Sequence, residues 1–475
     1  MSGAPLWTGE QLLQAMGARL VGARPAEISG ISIDTRTLAA GDAFFAIKGE
    51  ARDGHEFVAG ALEKGTALAV IDEAHAHVFN GAGSYAVVDD VLRAMERAGV
   101  ARRRELNAGV VAVTGSVGKT GTKEALRLVL SRQGQTHAPV ASYNNHWGVP
   151  LTLCRTPASV RYGVYEIGMN APGEILPLAK LVTPDVAIVT TVQPVHLAAF
   201  KSVEGIAEEK AAIFQGLKPG GTAIVNADIP QAGLLWKLAE QSPAGRIISF
   251  GEHADSDVRL VSCSLKPDMS TVDAIVLGKP VAYRLGSPGK HIVLNSLAVL
   301  AAVEALGADL ALAALALGEL TPPVGRGAQQ VLHAPAGSFI LIDESYNGNP
   351  ASMRAAIENL GRMPVSGRGR RIAVLGDMLE LGETGPELHK GLAGAVDENN
   401  VDLVFACGPL MRGLYDALPA RHRGAYAAQA SGLEPLVVEA IRAGDVLTIK
   451  GSLGSRMGPI VKAITARFPA AAIDE

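Results

Sequence analysis

Residues 110–122 read Val-Val-Ala-Val-Thr-Gly-Ser-Val-Gly-Lys-Thr-Gly-Thr. A short apolar run meets a glycine turn that carries Lys-Thr, and a helical pattern follows. Over Lys123–Arg132 the apolar residues Ala125, Leu126, Val129 and Leu130 share one face. Triphosphate oxygens need several converging backbone N–H donors, and glycine lets the chain turn tightly enough to present them. The start of the following helix adds its positive end. Lys119 is placed to reach the β- and γ-phosphates, and the Thr120 hydroxyl to ligate Mg²⁺. The stretch is therefore expected to be a P-loop between a strand and a helix, with Gly115, Ser116, Val117, Gly118, Lys119, Thr120 and Gly121 around ATP. Val113 stands where the usual spacing has its first glycine.

Outward from this loop, apolar runs at Tyr162–Ile167, Val186–Thr190 and Ala223–Val225 alternate with helical patterns. Alternation of this kind predicts a mostly parallel sheet covered on both faces. The stretch from His291 to about Leu306 reads as a long buried helix closing this region. A Pro322-Pro323-x-Gly325-Arg326 segment reads as a hinge. Beyond it, Phe339–Asp343, Arg371–Leu375, Leu403–Cys407 and Val446–Lys450 read as strands. Helical patterns near 350–360, 386–396 and 433–443 separate them, giving a further α/β domain. Before the P-loop, strand-like runs at Ile28–Ile33 and Ala67–Ile71 precede a helix over about 90–106. The expected fold class is α/β in three domains: residues 1–108, 109–322 and 323–475. They are an N-terminal α/β domain, a central P-loop domain with a mostly parallel sheet, and a Rossmann-like C-terminal domain.

Composition agrees and removes other classes. The chain has 475 residues, about three domains' worth. Its 43 basic and 47 acidic residues leave a net charge of −4, with no basic footprint for nucleic acid. Aromatic residues are only 4%, which argues against a base-stacking surface. The Arg102-Arg103-Arg104 run is expected to be the solvated end of a helix. Cys154, Cys263 and Cys407 lie far apart, so neither a disulfide framework nor a zinc site is expected. The most apolar stretch, 292–318, holds Asn295, Glu304 and Asp309, which a membrane span would have to bury. Without a signal-peptide pattern at the N-terminus, a cytoplasmic, soluble monomer is expected, with no membrane insertion.

Three further residues are chemically suggestive. Glu166 ends an apolar run and precedes Gly168, on the sheet edge where ligands bind. It is a candidate hard-oxygen ligand for Mg²⁺, or a capping carboxylate. His196 follows the 186–190 run on the same edge and is either a ligand or a hydrogen-bonded structural histidine. Lys210 lies in a helical stretch, where an exposed lysine is the ordinary reading.

Together these residues resemble the Mur ligases of bacterial cell-wall synthesis, and the likeness spans essentially the whole chain. It is carried by TGSVGKT (114–120), by EIGMNAPGEI beginning at Glu166, by His196, and by Ala207-x-x-Lys210-x-x-Ile213-Phe214. HIVLNSL (291–297), Arg326, DESYNGNP (343–350), GDMLELG (376–382) and Lys450-Gly-Ser complete it. Ile292 and Thr191 each stand where many relatives carry asparagine. In the N-terminal region, Ser32-x-Asp34-Thr35-Arg36, the segment GDAFFAIKGEARDGHEF (41–57) and Asn144-Asn145-x-x-Gly148-Val149-Pro150 are similar to members that extend a UDP-linked tripeptide.

The resemblance implies an ATP-dependent amide ligase with UDP-MurNAc-tripeptide and D-Ala-D-Ala as substrates. The N-terminal domain would hold the UDP precursor through Ser32, Asp34, Thr35, Arg36, Lys48 and Asn145. Asn295 would approach the nucleotide base, Asp343 the ribose and Arg326 the γ-phosphate. Tyr346, Asn347 and Asn349 would meet the incoming dipeptide. Lys119, Glu166, His196, Lys210 and Arg326 form the implied catalytic set. Two Mg²⁺ sites are implied, one at Thr120 and Glu166, the other at His196 and Lys210. In this family the lysine is carbamylated by CO₂, which turns a cation into a carboxylate-like ligand and requires a neutral amine.

Overall fold

The computed structural model describes residues 5–49, 52–78, 83–140, 142–195, 199–266 and 268–470. Strand Gly109–Thr114 lies inside the largest sheet, parallel to Val186–Val189 on one side and Tyr162–Glu166 on the other. Thr222–Asn226 and Arg246–Gly251 continue the parallel arrangement beyond Val186–Val189, and Thr136–His137 adds to the opposite edge. The chain leaves Gly109–Thr114 in both directions across the sheet, so its C-terminal end is a topological switch point where a crevice opens.

The sequence of this strand explains its place. Val111 and Val113 pack with Leu126, Val129 and Leu297 from helices Lys119–Ser131 and Lys290–Ala305. Val110 and Ala112 face the other way, into a cluster with Val149, Ile175, Leu178 and Ile206. A strand buried on both faces must be apolar at every position, which is why it reads as an unbroken run.

The C-terminal sheet runs Ala328–Ala334, Gly337–Glu344, Val446–Lys450, Arg371–Gly376, Leu403–Cys407 and Arg423–Ala427. All its pairings are parallel except the first. Helices cover both faces, with Pro350–Arg362 on one and Ala430–Ala440 and Gly458–Arg467 on the other. Among the described residues the N-terminal sheet has five strands, Arg19–Val21, Tyr85–Val88, Leu68–Asp72, Ala43–Phe45 and Ile31–Ser32. The chain is thus α/β in three bodies with mostly parallel sheets, the expected class.

The structure adds one element and corrects one expectation. Val258–Leu265, Ser270–Val276 and Lys279–Leu285 form an antiparallel extension of the central sheet that the apolar runs do not reveal. Its strands alternate buried and exposed residues, so no continuous apolar stretch marks them. The arginine run is not solvated throughout. Arg102 and Arg103 are buried at the end of helix Val91–Glu105. Arg102 stacks over Trp7 at 3.8 Å and donates to the Leu6 carbonyl. Arg103 donates to the Val182 and Thr183 carbonyls at 2.7 and 2.8 Å. These carbonyls close helix Ile175–Val182 and have no partner within it, which a forked guanidinium can supply. Arg103 thereby ties the N-terminal body to the central one, while Arg102 holds the Leu6–Trp7 segment against the same helix. Among the described residues, no helix is long and apolar enough to cross a membrane.

Candidate active site

The loop after Gly109–Thr114 is built on two glycines at positive φ. Gly115 has φ 148° and Gly118 φ 90°. A Cβ on Gly115 would lie 1.9 Å from the Thr190 hydroxyl, and one on Gly118 2.5 Å from the Asn295 amide. Neighbouring strands hold the loop in shape. The Ser116 N–H donates to the Thr191 carbonyl at 2.8 Å, a backbone contact indifferent to the side chain at 191. The Ser116 hydroxyl donates to the Gln193 carbonyl and Thr190 Oγ1 to the Val117 carbonyl. Lys119 is folded over its own loop, with Nζ 2.6 Å from the Gly115 carbonyl. Burial lowers its pKa and Arg326 lowers it further, against the opposing pull of Glu166.

Glu166 is almost completely buried at the end of strand Tyr162–Glu166. Parallel pairing sets it beside Val113, one residue before Thr114, so that it reaches the first turn of helix Lys119–Ser131. Thr120 Oγ1 donates to Glu166 Oε2 at 3.0 Å. Asn144 Nδ2 donates to Oε1 at 2.7 Å. The sequence assigns Asn144 no role, although it sits in the Asn144-Asn145 pair. Nothing in the spacing says which amide turns inward. The structure turns Asn144 inward, while Asn145 Oδ1 accepts the Trp147 and Gly148 N–H groups at the start of helix Gly148–Cys154. Asn144→Ala is expected to raise the Mg²⁺ concentration for half-maximal activity by about 10–100-fold, since it frees the carboxylate to rotate. A metal titration of the steady-state rate checks this.

Lys210 lies on helix Val203–Ala211 and is buried, not an exposed helix lysine. Burial pushes its pKa well below that of an ordinary lysine, and the nearby Lys119 adds to the shift. Glu209 opposes it, but its carboxylate is committed to the Gly173 and Ile175 N–H groups at 2.7 and 2.8 Å. The amine is thereby shifted toward its neutral form. His196 lies outside the described residues.

From the phosphate loop a cleft of about 490 Å³ runs toward the C-terminal sheet. Asn295 lines it beside the loop, and Arg326, Tyr346, Asn347 and Asn349 line it from the facing side. The Arg326 guanidinium stacks on the Tyr346 ring at 4.3 Å. Gly325, at φ 74°, allows this, since a Cβ there would press on Tyr346. Lys450 Nζ donates to Glu344 and to the Asn347 carbonyl at 2.8 and 3.0 Å, fixing the 344–349 turn. Asn349 caps helix Pro350–Arg362. Asp343 is placed differently from its neighbours. It is buried, its carboxylate accepts from the Ser345 N–H and hydroxyl, and it is not among the residues lining the cleft.

The N-terminal candidates stand apart from the phosphate loop. Ser32 ends strand Ile31–Ser32, and its hydroxyl bonds within the turn to the Asp34 carbonyl. Arg36 is exposed and grips Asp34 through Nε and Nη2, which holds the Asp34 carboxyl below its ordinary range. The Thr35 carbonyl accepts from Lys64, and the Lys48 backbone pairs with that of Asp53 in an isolated antiparallel β-bridge. Arg155 joins this turn to the Asn144 loop: its Nε donates to the Ile31 carbonyl at 2.7 Å while its guanidinium faces the Tyr143 ring at 5.7 Å.

Comparison with known proteins is consistent along the chain. Models described as Mur ligase family, catalytic domain, as Mur ligase middle domain and as Mur ligase, glutamate ligase domain match residues 27–110, 113–303 and 329–453. The chain is 34% identical to the UDP-N-acetylmuramoyl-tripeptide–D-alanyl-D-alanine ligase of Bacillus subtilis, over 92% of this chain and 93% of that protein. A crystal structure of MurF from Acinetobacter baumannii matches with a TM-score of 0.84 at 30% identity, covering 97% of this chain and 99% of that one. MurF from Thermotoga maritima, solved in complex with ADP, shares the fold with a TM-score of 0.76 at 24% identity, covering 92% and 97%.

Proposed function

Since the chain belongs to the Mur ligase family, we propose that it joins D-alanyl-D-alanine to UDP-MurNAc-tripeptide at the expense of ATP, through an acyl-phosphate intermediate. The observation that carries this reading is the meeting of Thr120 and Glu166 at the mouth of a preformed phosphate loop, with Arg326 facing it from the third body. A carboxylate does not condense with an amine at neutral pH, because hydroxide is a poor leaving group. Transfer of the γ-phosphoryl group to the tripeptide carboxylate, with ADP leaving, supplies a good one. The dipeptide amine then attacks the acyl carbon, and phosphate departs from the tetrahedral intermediate. Both steps gather negative charge, so positioning and electrostatic stabilisation carry the catalysis.

Lys119 exchanges the Gly115 carbonyl for a phosphate oxygen, and Arg326 supplies a second positive group. The Thr120 hydroxyl and Glu166 are hard oxygen donors 3.0 Å apart and suit Mg²⁺. His196 and a carbamate on Lys210 are the ligands for a second Mg²⁺. These ions, when bound, neutralise the phosphate charge that builds during transfer. We take 1–108 as the UDP-precursor domain, 109–322 as the ATP domain and 323–475 as the domain for the incoming amine, in a cytoplasmic monomer.

The test is ADP release that depends on both UDP-MurNAc-tripeptide and D-Ala-D-Ala, with the product mass equal to the condensed amide. Release without an acceptor would indicate a P-loop ATPase switch, and a stable phosphorylated product a kinase. Dependence on a different amino acid would point to another Mur or folylpolyglutamate-type ligase. Arg36→Ala is expected to raise KM for the UDP substrate by roughly tenfold with kcat nearly unchanged, because a contact remote from the reacting carboxyl adds uniform binding. Steady-state kinetics at saturating ATP check this.

A further inference from the structure

Away from the cleft, two histidines and two aspartates meet on the N-terminal body. Asp53 caps the short helical turn Gly54–Phe57, and Asp72 ends strand Leu68–Asp72. The two imidazoles, His55 and His75, stack with centroids 3.9 Å apart and planes 14° from parallel. Each aspartate holds its own histidine: Asp53 Oδ1 lies 2.6 Å from His55 Nδ1, and Asp72 Oδ1 lies 2.7 Å from His75 Nδ1. A carboxylate oxygen only accepts, so both Nδ1 atoms carry the proton.

The two Nε2 atoms then differ. His55 Nε2 accepts the Asp72 N–H at 3.2 Å and is satisfied. Among the described residues His75 Nε2 has no hydrogen-bond partner, and it faces Asp53 Oδ2 at 3.9 Å. That is too long for a hydrogen bond. Asp53 Oδ2 is the oxygen that His55 Nδ1 leaves over. The arrangement is a nitrogen and a carboxylate oxygen aimed at one point, each oriented by a partner behind it. Zn–N and Zn–O bonds of about 2.0–2.2 Å span such a gap with a slight closing of the turn. The backing of His75 by Asp72 is the carboxylate–histidine support that metal-bound imidazoles use.

We propose that Asp53 and His75 bind a borderline divalent cation such as Zn²⁺, with water completing the coordination and His55 and Asp72 as positioning residues. An imidazole ligand favours Zn²⁺ over Mg²⁺, so this site is chemically distinct from the oxygen-lined one at Thr120 and Glu166. A bound ion would clamp the turn after Asp72 to the Asp53 segment, whose backbone pairs with that of Lys48 in an isolated β-bridge.

The experiment uses the full chain, stripped with chelator and dialysed against micromolar Zn²⁺ with excess Mg²⁺, and counts zinc per chain by elemental mass spectrometry. His75 is one-third exposed, and asparagine at 53 keeps the cap, so His75→Gln and Asp53→Asn both preserve the fold. Circular dichroism checks this. Wild type is expected to retain about one more equivalent of zinc than either variant. Equal zinc in all three proteins overturns the proposal. So does a melting temperature that responds to pH but not to zinc and loses that response in His75→Gln, which would place a proton in the gap instead of a metal.

Discussion

Replacing Lys210 by alanine is expected to lower kcat by about 10³-fold, the several kcal/mol that a metal-held charge contributes to a phosphoryl-transfer transition state. An ammonium in this position is poorly solvated, and Lys119 nearby repels it, so the amine is held toward its neutral form. The neutral amine would add CO₂, forming an N–C bond and releasing one proton, so that the cation becomes an anion able to ligate metal. Protein exchanged with ¹³C-bicarbonate is expected to show a carbamate carbon resonance that Lys210→Ala lacks. Added acetate, a carboxylate that fits the vacated space, is expected to restore part of the rate. A variant with full activity at saturating Mg²⁺ would sink the idea.

Arg326→Ala is expected to reduce kcat by a comparable factor, about 10³-fold, the lower end of what a transferring phosphoryl group gains from an arginine. The guanidinium rests on Tyr346 and is close enough to Lys119 to depress its pKa, so it already faces the phosphate loop. Arg326→Lys is expected to rescue poorly, because an ammonium neither stacks on the ring nor forks to two oxygens. Steady-state kinetics decide the matter: a change in KM for ATP with kcat unchanged would assign Arg326 to nucleotide binding alone.

How much of this the sequence discloses depends on the kind of interaction involved. Strand Gly109–Thr114 and its glycine loop are legible because burial on both faces forces an apolar run, and positive φ forces glycine. The helix after the loop starts at Lys119, earlier than its apolar periodicity shows, since its first turn is polar and faces the cleft. The strands between Val258 and Leu285 are hidden by their alternation. Asn144 and the buried arginines escape for another reason. Their roles depend on partners 22 to 96 positions away along the chain, and no local pattern records them. Asp343 shows the converse: its motif is plain in the sequence, yet its carboxylate is engaged by Ser345.

Glu166 is shared, with one oxygen on the phosphate loop and the other on the Asn144 loop, which Tyr143 and Arg155 connect to the strand before Asp34. Any movement of that strand on substrate capture is therefore felt by the carboxylate that would hold Mg²⁺. Equilibrium allows no one-way traffic along such a chain. The factor by which the sugar nucleotide tightens the metal must equal the factor by which the metal tightens the sugar nucleotide. Order of addition in this enzyme would then be a matter of thermodynamic coupling as much as of steric access.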